Sequence, residues 1–303
     1  MKLVLILLCA ALTLFAEQAG AQSATTAENE LEANPGRPTV STPATLTPTG
    51  YLQFETGVLG ARHSGEFSSR TGLNEVMKLS VASRLELLAA AEPVVHYRAE
   101  GITANGVAEV FLGAQAVLSP GEGARPTVAV SYFHRAYDGG APELDFGSPA
   151  NSFLLLASAD VKGFHYDANA MLNELVQGSV RRPQFGQSLS ISHPLKGKFT
   201  LSGEIWHFTQ PFLHGNAVGN LWAVSYAARK TLVFDGGFNR GLTGSYALGS
   251  LRRVYVSAAA PAVVSGLSEN LIGEPYGTIS STRPSKRRWK PANCPNRGDV
   301  TLL

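Results

Sequence analysis

From Phe164 to Asn173 the chain reads FHYDANAMLN, and its side chains alternate with period two. Phe164, Tyr166, Ala168, Ala170 and Leu172 fall on one side, and His165, Asp167, Asn169 and Asn173 on the other. Successive side chains of a strand point to opposite faces, so this pattern predicts a strand with one apolar and one polar face. The same alternation predicts strands over Tyr51 to Leu59, Leu73 to Val81, Leu85 to Ala91, Val107 to Leu118 and Thr127 to Tyr137. It continues through Ser152 to Asp160, Phe185 to His193, Phe199 to Thr209, Asn220 to Ala228 and Thr231 to Asn239. A further strand between Leu248 and Ser257 would bring the total to an even number of about twelve.

Alternation alone does not say which face meets water. A soluble sandwich buries its apolar faces against a second sheet, whereas an outer-membrane barrel turns them to lipid and keeps a polar interior. The connections alternate between tight turns, such as Lys196-Gly197-Lys198 and Arg229-Lys230, and longer loops at Asp138 to Ala150, Gln177 to Gln184 and Gln210 to Gly219. That is the expected habit of an up-and-down antiparallel transmembrane β-barrel, with short periplasmic turns and longer external loops. Aromatics near strand ends (Tyr51, Phe164, Trp222, Tyr226) suit the membrane interfaces. The opposite faces carry Glu55, Lys78, Glu86, Glu109, Arg135, Asp167, Glu204 and Asp235, whose mixed signs can pair across a narrow interior.

Composition sharpens this choice. Charged residues make up 16% of the chain, against about 25% in an average soluble domain. Lys2, the apolar run Leu3 to Ala16 and the small residues Ala19-Gly20-Ala21 predict a secretory signal peptide over residues 1–21. Cys9 falls within it, which leaves Cys294 as the one cysteine of the mature chain and excludes an internal disulfide framework. Residues 22–50, rich in Ala, Thr, Glu and Pro, predict a flexible periplasmic lead-in, the barrel proper is expected over 51–257, and 258–303 reads as a disordered tail. The net charge of +2, with basic residues gathered in Pro284 to Pro291, gives no case for nucleic acid.

Several short motifs occur in a fixed order. Arg37-Pro38 is followed by Gly50, Gln53 and Glu55, then by Arg84-Leu85-Glu86-Leu87, Ile191-Ser192-His193-Pro194-Leu195 and the run Asp235 to Thr243. In these the chain resembles the bacterial outer-membrane proteins of the meta-pathway of phenol degradation family, over about Arg37 to Tyr246. The resemblance implies a barrel that takes up hydrophobic or aromatic compounds, and it carries no catalytic residues. Its family ends in an aromatic strand, where this chain has Leu248 to Ser257 with Arg252 and Arg253. A one-base shift of reading frame accounts for that departure and for the tail after it. Resequencing the gene tests this, and the absence of such a frame would end the idea.

Candidate chemistry is sparse. Ser192 and His193 are the parts a barrel lipid hydrolase would use, but adjacent strand residues point to opposite faces. His96, His134, His165, His207 and His214 are scattered singly, without zinc-ligand spacing. No cofactor motif occurs, and no catalytic or metal-binding residue is expected. The expected function is an outer-membrane channel or transporter for small hydrophobic or aromatic compounds, with Arg135, His165, Asp167 and Asn169 as pore-lining candidates. The expected partners are outer-membrane lipid, a small apolar or aromatic solute and the barrel-insertion machinery. A non-conducting structural or ligand-binding barrel, a barrel hydrolase and a soluble periplasmic sandwich remain the alternatives.

Overall fold

The computed structural model describes residues 32–36, 39–62, 64, 66–142, 149–213 and 215–243, together with the backbone of 252–263. The expected signal peptide and residues 264–303 lie outside them. The described chain is all β. The strands are β1 (Tyr51–Arg62), β2 (Ser69–Ala82), β3 (Leu85–Ala99), β4 (Ile102–Gly106), β5 (Val110–Ser119), β6 (Thr127–Tyr137) and β7 (Pro149–Val161). They continue with β8 (Phe164–Gln177), β9 (Val180–Pro194), β10 (Phe199–Thr209), β11 (Asn216–Arg229), β12 (Leu232–Thr243) and β13 (Arg252–Val263).

Each strand pairs antiparallel with its neighbours, and β13 pairs with both β12 and β1, so the sheet closes into a barrel. The ring has twelve positions. β4 and β5 occupy one of them jointly, because β3 pairs with β4 along Val95 to Ala99 and with β5 along Leu85 to Ala91. Closure removes the free edges that a sheet of this size would otherwise present. β13 runs to Val263, so residues 258–263, expected in the tail, belong to the barrel.

Strand limits differ from the sequence pattern mainly at one end. The expected loop from Gln177 to Gln184 is instead a hairpin that reverses across Gly178 and Ser179, with Gly178 at a φ of 59°. β3 continues past Pro93 to Ala99 and returns through Glu100 and Gly101, both at positive φ. The pairing of β2 with β3 shifts register beside Pro93, the kind of irregularity that lets a strand accommodate a proline.

The distribution of side chains is the inverse of a soluble core. Ile205 is 54% exposed and Leu112 53%, with Phe54, Val58, Leu87, Tyr132, Phe153, Leu155, Leu172, Phe185, Trp222 and Phe238 exposed beside them on the outer face. Inward positions are polar and buried: Gln53, Glu55 (1% exposed), Lys78, Glu86, Gln115, Ser131, Asp167, Asn169, Ser188, Glu204 and Asn239. The outward band is interrupted by the Thr56 and Glu75 pair, in which the hydroxyl donates to the carboxylate at 2.6 Å. At one end of the band aromatic rings gather, Phe164 stacked on His193 at 4.4 Å and Phe199 against Tyr226 at 4.9 Å.

Three inward rings lie over glycines directly across from them: Phe133 over Gly113, Phe208 over Gly186 and Trp206 over Gly219. The glycines let the rings flatten against the wall. A Cβ on Gly219 would stand 2.0 Å from Trp206 Cζ2. Gly219→Val should therefore push Trp206 off the wall and away from Asn239, which its indole N–H now bonds at 2.9 Å. The expected cost is about 1 to 3 kcal/mol, read as a lower unfolding midpoint with a shifted tryptophan emission; an unchanged midpoint and spectrum would show that the ring has room elsewhere.

Candidate functional site: a stoppered lumen

The lead-in before β1 enters the barrel. Residues 32–48 contain Pro35, Pro38, Pro43 and Pro48, which fix φ and remove donors, so a regular strand is disfavoured here. Its remaining backbone groups must still find partners once inside, and inward side chains supply them. Glu204 accepts from the backbone of Val40 (2.7 Å) and Ser41 (2.6 Å) and from the Ser41 hydroxyl (2.6 Å). Asn169 accepts from Thr42 N–H at 2.6 Å and donates to Thr42 C=O at 2.9 Å.

The next residues are held in the same way. Ala44 N–H donates to Ser158 Oγ, which donates in turn to Asp167 at 2.5 Å. Gln115 donates to Pro43 C=O, and Glu86 accepts from both the backbone and the hydroxyl of Thr47. Nearer the start, Asn34 exchanges hydrogen bonds with Gln53 and accepts from Lys78, whose ammonium lies 2.6 Å from Glu55. Glu204 takes three hydrogen bonds from this stretch and Glu86 two, each through a carboxylate. The flexible lead-in expected over residues 22–50 is thus, over the described residues 32–36 and 39–48, an internal stopper.

An apolar patch backs these polar latches. Val117, Ala129, Leu154, Leu156 and Met171 point inward and cluster with Ala44, while Val40, Leu46, Phe133 and Phe208 pack against the cluster. β7 supplies two of its members, Leu154 and Leu156, because Phe153 to Leu156 is apolar on both faces. Toward the far mouth the lumen becomes charged. Arg70 pairs with Glu92 and donates through Nε to Pro142 C=O, and Arg135 lies 3.1 Å from Glu109 and 2.9 Å from Asp138.

The four expected lining residues all have inward phase but do not form one group. Asn169 holds the stopper directly and Asp167 does so through Ser158. His165 stands beside them at the same end, 2.8 Å from Asp160 and 3.2 Å from Asp167. Arg135 belongs to the opposite mouth. Ser192 and His193 project to opposite faces, and the histidine packs on Phe164 and bonds Gly163 C=O, so the two form no catalytic pair. Among the described residues no group of three or more metal-ligating side chains comes together.

No family model matches the chain, and no curated protein matches it in sequence. Solved structures do match in fold. The COG4313 outer membrane channel from Pseudomonas putida F1 superposes with a TM-score of 0.50 at 14% identity, covering 76% of this chain and all of that one. The two share a barrel fold. The NanC porin (TM-score 0.49, 10% identity, 68% of this chain and 98% of that one) and the CymD monoaromatic hydrocarbon channel (0.42, 11%, 72% and 89%) match more loosely.

The stopper's contacts were not visible as a local pattern. Glu204 and Val40 are 164 residues apart in sequence. The available signal is compositional: between Arg37 and Gly50 the lead-in has prolines, serines and threonines but no charge, unlike a solvated linker.

Proposed function

We propose that this chain is an outer-membrane channel for small apolar or aromatic solutes, closed at its periplasmic end by its own lead-in. The observation that carries this reading is the apolar patch inside the lumen. A barrel wall needs only polar or mutually paired inward residues. Leu154, Leu156, Met171, Phe133 and Phe208 instead offer a surface with affinity for apolar molecules, and Val40, Ala44 and Leu46 of the stopper rest against it. A solute of that kind competes with the stopper for the same surface. The outward apolar band favours a membrane setting, and the barrel shared with an outer membrane channel favours the outer membrane. The resemblance to the phenol-degradation family favours aromatic cargo. In this reading the chain is exported by its signal peptide and folded by the barrel-insertion machinery, with Asp167 and Asn169 acting as latches and Arg135 lining the outer mouth.

A cross-link tests it. Ser41 Oγ and Ser188 Oγ are 2.8 Å apart, so cysteines at both positions fall within disulfide reach. In a Ser41→Cys/Ser188→Cys variant that also carries Cys294→Ser, the oxidised barrel should reduce cellular uptake of a radiolabelled monoaromatic hydrocarbon to the level of cells lacking the protein. Dithiothreitol should restore it. Uptake indifferent to the lock would take the route out of the lumen, and no uptake in either state would leave a non-conducting barrel.

A further inference from the structure

On the outer face of the barrel, away from the lumen, a groove of about 420 Å³ lies across β6 to β9. Its apolar side is formed by Tyr132, Phe153 and Leu172, which belong to the exposed outward band. Its upper side is polar and connected. Tyr132 OH donates to Asn151 Oδ1 at 2.7 Å, and Asn151 Nδ2 donates to Glu174 at 2.5 Å. Arg181 donates to the other Glu174 oxygen at 2.9 Å, and His134 Nδ1 lies 2.9 Å from Asn151 Oδ1.

These groups adjoin one edge of the apolar band, Asn151 opposite Glu174 and Arg181 two residues beyond Pro183, which faces Glu174. Asn151, Glu174 and Arg181 are the first outward polar residues beyond Phe153, Leu172 and Phe185 on their strands, on the side away from the Phe164 and Phe199 girdle. In a membrane, that is where hydrocarbon gives way to head groups. Both carboxylate oxygens of Glu174 are occupied, by Asn151 and by Arg181, and this fixes the guanidinium in place. Arg181 remains 64% exposed and has five N–H donors, of which NH1 engages Glu174. A cation held at the edge of an apolar groove complements a phosphate attached to an acyl chain.

We infer that this groove binds a phosphate-bearing glycolipid of the outer leaflet, one acyl chain lying on Phe153 and Leu172 and a head-group phosphate on Arg181. The inference rests on the membrane reading above but is independent of what passes through the lumen. The full-length barrel, purified in mild detergent and mixed with vesicles of diphosphoryl lipid A and phosphatidylethanolamine, should retain lipid A in native mass spectra. Arg181→Ala should lower that retention about tenfold, and Leu172→Trp, which fills the groove, should lower it as well. Both variants are to be checked for heat-modifiable gel mobility, which reports the folded barrel; should Leu172→Trp not fold, Arg181→Ala decides alone. Removing the phosphates from the lipid A should reduce wild-type retention to that of Arg181→Ala. Equal retention by wild type and Arg181→Ala would overturn the site, as would wild-type preference for phosphatidylethanolamine. Failure of the barrel to enter any vesicle or micelle would strike the membrane reading instead, so the two failures are distinguishable.

Discussion

A chain lacking residues 39–47 will conduct ions far better than the intact barrel. These nine residues carry the contacts to Glu204, Asn169, Ser158, Gln115 and Glu86, and Ala44 is the member of the stopper buried in the apolar cluster. A twelve-strand ring is wider than the eight-strand barrels that side chains fill, so an emptied lumen leaves an aqueous path and conductance should rise at least about tenfold. Single-channel recordings in planar bilayers measure it. Glu204→Ala should give a smaller rise or frequent flickering, because it removes the acceptor for Val40 and Ser41 while leaving the other latches. Equal conductance for the intact and deleted chains would place the constriction at the charged mouth around Arg70 and Arg135 instead.

Leu155→Arg should abolish or strongly impair membrane insertion. Leu155 is outward, 47% exposed, and lies between Val130 and Ala170 in the sheet. Along β7 it falls between the polar Asn151 at one end and Val161 at the other. An arginine facing hydrocarbon near mid-membrane costs about 2 to 4 kcal/mol, a large part of a typical folding free energy of about 5 to 15 kcal/mol. In a water-soluble barrel the same exposed substitution would stay within about 0.5 kcal/mol of neutral. Urea unfolding in vesicles and heat-modifiable mobility separate the two: a variant as stable as wild type would mean that the outer band faces water or protein rather than lipid.

The architecture was legible in the sequence wherever the contrast between faces is strong. β8 is the clearest case, since Asp167, Asn169, Met171 and Asn173 alternate in the structure with exposed Ala168, Ala170 and Leu172. Where strands rise past the apolar band the contrast disappears. Both faces of β9 are polar around Arg181 and Arg182, so the β8–β9 hairpin looked like a loop. Pro93 had the same effect on β3, because a proline argues against a strand unless a register shift absorbs it. For the site, the inward acids and their mixed signs were readable, but the Lys78–Glu55 and Arg135–Glu109 pairs form between neighbouring strands of the wall rather than across the interior. The stopper was not, since period and propensity describe neighbours in sequence and its partners are spread around the ring.

That spread fixes an order of assembly. Residues 32–48 are translated before any strand, yet their partners lie on β1, β2, β3, β5, β7, β8, β9 and β10. No early hairpin can provide such a surround, and contacts of this sequence separation form only after the intervening chain is in place. A segment made before every strand therefore completes its native contacts only after the later strands are in place, and a newly closed barrel exists for a time with its lumen incompletely filled.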